Sequence, residues 1–209
     1  MATIKQIKTK AIALVMALAM AISSILALVV SSIAYGDSRR RMLPAYPIYG
    51  NGPIEIRLYT DYFCPPCRGM KPNVDPLLRD LVQRNKIKLA LIDVPMSRQS
   101  ADYAKEYLNC LHYYSRDLET AITLKTHFNY AAENGFRIES YLHSAGIEHD
   151  QPFKDLLSTV LSYYNEKIRE DQVRATPTCV ICNYPARGSK RSYVGGKQIL
   201  EALKEISQR

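Results

Sequence analysis

Two of the five cysteines, Cys64 and Cys67, stand in the stretch Phe63-Cys64-Pro65-Pro66-Cys67. Two residues between them let the sulfurs close a disulfide within one helical turn, so the pair can cycle between dithiol and disulfide. The alternating apolar run Ile54–Tyr59 precedes the pair, and residues 68–83 follow with a pattern that can carry a helix. A first cysteine between strand and helix sits at the helix N-terminus, where free N–H groups and the positive end of the dipole favour thiolate over thiol. That combination points to redox exchange. A structural disulfide or half of a zinc site would use the same spacing.

The elements that must position this pair can be read outward from it. Lys86–Val94 is a second apolar, β-branched run that closes at Pro95, so strand, helix and strand make a βαβ unit with a parallel pair. Pro72 and Pro76 fall inside the helix pattern and should kink it. From about Arg98 to Val173 the pattern is helical. Ala101, Ala104, Leu108 and Leu111 share one face; Leu118, Ala121, Ile122, Lys125 and Phe128 share another, with Asn134-Gly135 as its cap. A short helix ends near Gly146, and Asp150 can cap a helix through Phe153, Leu157, Val160 and Ile168. Thr178–Asn183 and Arg191–Val194 read as strands joined by a turn over Tyr184–Gly188. Gly195-Gly196 precedes a last amphipathic helix over 197–207.

At 209 residues and 47% hydrophobic content the chain can bury one substantial core. Its formal charge of +8 falls to +5 once the lysines at positions 5, 8 and 10 are set aside, and the remaining signs are interspersed. Nucleic-acid binding calls for a concentrated basic stripe, which is absent. Residues 11–35 carry no charge, and as a helix they would be about 37 Å long against a hydrocarbon core of about 30 Å. Residues 1–35 thus read as a membrane anchor, with a signal sequence cleaved near Ser32-Ile33-Ala34 as the alternative. The three lysines before this segment and Arg39-Arg40-Arg41 after it nearly balance under the positive-inside rule, and the cysteine usage favours export. Residues 36–53, rich in Pro and Gly, read as a linker with a turn at Asn51-Gly52.

Four separated pieces, in this order, resemble a known family: Tyr59–Cys67, Asp93–Met96 leading into the helix over Ala101–Cys110, Val173–Thr178, and Val194–Gly196. They resemble thiol-disulfide oxidoreductases of the DsbA type, over residues 54–209. The resemblance implies an α/β thioredoxin fold with an inserted helical domain over about 98–173, preceded here by the N-terminal transmembrane helix or signal sequence. It also implies that Thr176-Pro177 is a cis pair lying against the active-site disulfide, where backbone receives an extended substrate segment. Pro177 would otherwise be a turn before a strand.

Under this resemblance Cys64 is the nucleophile that forms a mixed disulfide with substrate, and Cys67 resolves it. Neither metal nor organic cofactor is required. The implied partners are cysteine-containing exported proteins and a membrane or periplasmic redox partner, with the membrane engaged through the N-terminal segment. Two departures stand out. Pro65 and Pro66 offer no N–H to the sulfur, which should move the potential several tens of millivolts, about 30 mV per 1.4 kcal/mol, toward the reducing side relative to a Cys-Pro-His-Cys site. Leu58 stands six residues before Cys64, where many thioredoxin-like proteins hold a buried acid. Asp61 matches a position usually outside the core, so proton handling for Cys67 is unassigned.

The remaining cysteines are ambiguous. Cys179 and Cys182 lie three apart on a strand and point to opposite faces, which disfavours a joint metal site. Cys110 pairs with one of them or is a small buried hydrophobe. The four histidines show no ligand spacing. Tyr113-Tyr114 and Tyr163-Tyr164 read as core and rim or as a peptide-binding surface. A second class of function is a metal-handling or assembly factor with Cys64 and Cys67 as soft ligands, for which Met70 is the one nearby addition.

Overall fold

The computed structural model describes residues 47–114, 117–148 and 154–209, with backbone alone for 154–156. Strands β1 (Ile48–Tyr49), β2 (Ile54–Thr60), β3 (Ile87–Asp93), β4 (Thr178–Cys182) and β5 (Lys190–Val194) form one sheet in the order β1-β3-β2-β4-β5. β2 and β3 are parallel, from Ile54 opposite Ile87 to Thr60 opposite Asp93, and the other pairings are antiparallel. The sheet therefore begins earlier than the sequence suggests. Ile48 and Tyr49, inside the stretch read as linker, pair with Ala90 and Leu89. Two residues are too short to show a period, which is why the strand is silent in the sequence. The apolar segment 11–35 and most of the linker lie outside the described residues. Among the described residues no helix is long and apolar enough to cross a membrane.

Helix α1 (Pro65–Gln83) links β2 to β3 and contains Pro72 and Pro76 without ending at either. Four helices come between β3 and β4: α2 (Arg98–Tyr113), α3 (Leu118–Glu133), α4 (Ile138–Ala145) and α5 (Lys154–Glu170); α6 (Gly196–Gln208) closes the chain. The end of α4 at Gly146 is where the sequence puts it, while the N-caps of α2 and α3 are residues the sequence reading does not single out. The Ser97 and Asp117 side chains accept the Ser100 and Thr120 N–H groups, and Gly146 ends α4 at φ 64°. Asp150 lies outside the described residues.

Strand alternation divides the core between the faces of the sheet. Ile56, Leu58, Leu89, Leu91, Cys179 and Ile181 face α1, α6 and the first helices of the insertion. Tyr59, Ala90, Ile92 and Val180 face Val160 and Tyr164 of α5. Arg57 is also on the second face, and it is buried because it is paired: its guanidinium bonds Asp171 at 2.8 Å and Glu55 at 2.9 Å, Lys190 reaches Asp171 at 2.6 Å, and the Tyr59 hydroxyl donates to Asp171. Tyr164 is core, its hydroxyl donating to the Leu91 carbonyl at 3.1 Å, while Tyr113 and Tyr114 are on the rim.

Candidate active site

Cys64 is the N-cap of α1, at the point where β2 turns into the helix. Pro65 and Pro66 occupy the first helical positions, where a missing N–H leaves nothing unpaired and the fixed φ suits the turn. Both are exposed. The first N–H that can reach the Cys64 sulfur belongs to Cys67, at 3.2 Å. The sulfur thus keeps one backbone donor. Its own S–H donates to the Thr176 carbonyl at 3.3 Å, across 112 residues of sequence. The Thr176-Pro177 bond is cis, as the resemblance implies; Tyr184-Pro185, in the β4–β5 turn, is also cis, and nothing in the sequence marks it. The Pro177 carbonyl accepts the Gly195 N–H at 2.9 Å, tying this segment to the start of α6.

Cys67 lies one turn inside, 2% exposed against the half-buried Cys64. Burial, followed by its hydrogen bond with Cys64, pushes the Cys67 thiol up to about 12. The two sulfurs therefore differ in access, and burial holds the inner one as a thiol. No disulfide links any of the five cysteines in this structure, and Cys110 is placed as a small buried side chain. Cys110 and Cys179 are fully buried, and burial pushes both thiols up to about 12. Cys182 is on the other face from Cys179, as strand geometry requires, 3.3 Å from the Arg57 guanidinium. Met70, the one soft neighbour of the pair in sequence, is buried in the core. Among the described residues no three His, Cys, Asp or Glu side chains are grouped as metal ligands.

Asp61 corrects the sequence reading. It is 4% exposed, and its two carboxylate oxygens accept the Phe63 N–H at 2.7 Å and the Met96 N–H at 3.2 Å. One side chain therefore fastens the loop that carries Cys64 to the loop after β3. Phe63 packs edge-on against Tyr103 of α2 at 4.9 Å, so the insertion also braces the loop.

Behind Cys67 is a buried polar cluster. Lys125 of α3 reaches Asp93 Oδ1 at 2.6 Å and the Tyr62 hydroxyl at 3.1 Å, and Tyr62 donates to Asp93 Oδ2 at 3.0 Å. Desolvation lowers the Lys125 titration below its ordinary range even beside Asp93. A signal for this cluster was present in the sequence: Lys125 falls on the apolar stripe of its helix, where a charge needs a buried partner.

Comparison with known proteins follows the same lines. The thioredoxin family model (Thioredoxin_4) matches residues 48–199, most of the chain and the whole region that carries the site. A search of curated proteins finds no match. Among solved structures, alpha-DsbA1 of Wolbachia pipientis is similar at TM-score 0.62 and 15% identity, covering 81% of this chain and 94% of that one. The thiol-disulfide exchange protein alpha-DsbA2 of the same organism gives 0.54 and 21%, covering 85% and 94%. A periplasmic thioredoxin-like protein of Salmonella enterica serovar Typhimurium gives 0.55 and 18%, covering 80% and 94%. With a cis-proline segment against a Cys-Pro-Pro-Cys helix start, and a helical domain set between β3 and β4, the chain belongs to the thioredoxin family and has the fold of its DsbA-type members.

Proposed function

We propose that the chain is an extracytoplasmic thiol-disulfide oxidoreductase acting on cysteines of exported proteins, with Cys64 and Cys67 as its redox pair. The observation that carries this reading is the inequality of the two sulfurs: Cys64 is at the helix start and half-exposed, and Cys67 is buried with a raised titration. In the oxidising direction a substrate thiolate attacks Cys64 Sγ, the Cys64–Cys67 bond breaks, and Cys67 leaves with the electron pair. A second substrate thiolate then displaces Cys64, and the substrate gains the disulfide while the pair is left as a dithiol. In the reverse direction Cys64 attacks and Cys67 resolves. Thr176 has a role in both. Its carbonyl accepts the Cys64 S–H, so a mixed disulfide, which has no S–H, frees that oxygen for an N–H of an extended substrate. The pair works as its own two-electron carrier, and a membrane or periplasmic redox partner resets it. Turnover of a disulfide-bonded test protein with a thiol reductant, lost in Cys64→Ala, checks the activity.

Direction depends on how strongly the reduced form is held. Cys64 receives one backbone N–H, and Pro66 withholds the other that a non-proline residue there would offer. A donor to a charged acceptor is worth about 1.5–3 kcal/mol, and 1.4 kcal/mol is about 30 mV, so the pair should lie about 30–60 mV below the roughly −120 mV of a strong oxidant, toward the roughly −180 mV of an isomerase. Pro66→His should raise the potential by several tens of millivolts in a glutathione titration, on the order of 1–3 kcal/mol. A wild-type value at or above about −130 mV would show that some other group holds the reduced form.

Export is supported by the uncharged segment 11–35 and by the likeness to a periplasmic protein. Protease added to intact spheroplasts should digest the domain beyond residue 41 while it stays with the membrane fraction. Its recovery in the soluble periplasmic fraction would instead mark residues 1–35 as a cleaved signal.

A further inference from the structure

The fold gathers around the redox pair a set of charges that the sequence keeps apart. Four segments, 61–68, 94–98, 172–177 and 194–198, are tied to the neighbourhood of Cys64, and each brings one basic side chain. Arg68 follows Cys67 directly; its N–H donates to the Cys64 carbonyl at 3.3 Å and its guanidinium to the Tyr62 carbonyl at 2.9 Å. Arg98 starts α2 two residues after Met96, whose N–H donates to Asp61 at 3.2 Å. Arg174 stands two residues before Thr176, whose carbonyl meets the Cys64 sulfur at 3.3 Å. Lys197 is in the first turn of α6, two residues after Gly195, whose N–H donates to the Pro177 carbonyl at 2.9 Å. Gly196 between them packs on α1 so closely that an added Cβ would lie 2.8 Å from the Met70 Cβ. Arg98, Arg174 and Lys197 are exposed, and Arg68 is half-buried.

No acid of the protein neutralises these four. Among the described residues none of them forms an ion pair, whereas Lys71, Arg79 and Arg84 further along α1 pair with Asp75, Glu119 and Asp80. The one acid in the four segments is Asp61, which is buried and already accepts two backbone N–H groups. On α2 and α6 the first acids, Asp102 and Glu201, stand one turn beyond Arg98 and Lys197. The same segments carry Met96 and Val194, 64% and 49% exposed, apolar surface that suits a polypeptide and is of no use to a small anion. Unpaired charges of one sign around a nucleophile concentrate segments of the opposite sign there and speed their encounter.

We propose that this basic rim selects clients whose reacting cysteine is flanked by acidic residues. A segment held at the Thr176 carbonyl with its sulfur at Cys64 has its flanking residues over the four segments, where carboxylates meet cations that the protein itself leaves unpaired. Basic flanks meet like charge there and are disfavoured. The rim acts on encounter and orientation, while the exchange at Cys64 is the same for every client. Because the attraction is between exposed charges, it weakens as salt shortens the range of the field. This inference rests on the exchange reading above and names the client class of that site.

Its test uses disulfide-closed peptides of one sequence, with Glu, Gln or Lys at the positions flanking the cysteines, mixed in excess with the reduced protein. Each exchange opens the peptide S–S bond and closes the Cys64–Cys67 bond, with two electrons and two protons passing to the peptide. Loss of protein thiols, read by alkylation and mass, gives the rate. The Glu peptide should react at least about tenfold faster than the Lys peptide at about 0.01 M salt, with the Gln peptide between them. That ratio should fall toward one at about 1 M, where the Debye length has dropped from about 30 Å to about 3 Å. Arg174→Glu with Lys197→Glu should bring the low-salt ratio to about one or below, and comparison with the wild-type ratio cancels the reactivity of the peptides themselves. Lys86→Glu with Lys88→Glu makes the same change in net charge at the start of β3, the end of the sheet away from the site, and should keep the ratio within about twofold of wild type. A wild-type ratio near one at low salt overturns the proposal, as does an equal fall in both variants. In the first case, sedimentation of wild type but not of the rim variant with phosphatidylglycerol vesicles would assign the rim to a membrane surface instead. If none of the three peptides consumes protein thiols, it is the exchange reading that fails.

Discussion

Cys67→Ala should accumulate substrate proteins as mixed disulfides through Cys64, and Cys64→Ala should accumulate none and lose turnover to background. The asymmetry follows from access. Cys64 is half-exposed at the N-cap, whereas Cys67 is 2% exposed behind it, so a substrate sulfur can meet the first and not the second. Without Cys67 the mixed disulfide at Cys64 has no intramolecular attacker, and its lifetime is set by external thiols, whose effective concentration is lower by orders of magnitude than that of a sulfur one turn away. Non-reducing gels of cells expressing each variant check this. Equal trapping by both variants would sink the assignment of roles.

Lys125→Met alone should destabilise the fold by roughly 3–5 kcal/mol, because Asp93 would be left as a buried carboxylate with only the Tyr62 hydroxyl as partner. The sign of its pH dependence tests the cause. Burial favours the protonated acid, so the folded variant binds a proton that the unfolded chain releases, and the deficit should shrink as pH falls from 7 toward 5. Wild type has the opposite slope at the alkaline end. Its folded state holds the Lys125 proton less firmly than the unfolded chain does, so this group makes stability rise with pH on the approach to 10.5. Pairing the change with Asp93→Asn should recover most of the loss, since removing both charges together is often neutral or stabilising. Denaturant unfolding at several pH values checks all three statements. A single variant as stable as the pair would mean that Asp93 finds another partner.

The βαβ unit, the helical insertion and the closing β-β-α were legible because each depends on a local period: two for Ile54–Thr60, 3.6 for the stripes of α2 and α3. Cys64 and Cys67 were legible for the same reason, being three apart at a strand-to-helix turn. What sequence could not give is anything assembled across distance. Thr176 meets Cys64 across 112 residues, and only likeness to a family pointed there. Asp61 looked peripheral because its burial comes from two loops that converge on it, one of them 35 residues away. Lys125 and Asp93 each showed a charge at the border of an apolar pattern, yet their pairing is a property of how the insertion packs on the sheet. The strand Ile48–Tyr49 was missed because two residues carry no period, and its existence depends on a partner 40 residues on.

The sheet order has a consequence for behaviour in company. A protein that handles extended, unfinished chains is exposed to segments ready to pair with any open strand edge, and such pairing seeds aggregation. One outer strand here, Ile48–Tyr49, is two residues long and offers almost nothing to template on. The other, Lys190–Val194, begins with exposed Lys190 and Arg191, whose charges a growing neighbour strand would have to desolvate. On the proposed reading, an extended client would find little to pair with at either margin of the sheet. The same reading leaves the site beside Cys64 as the place where such a chain would stop, react and leave.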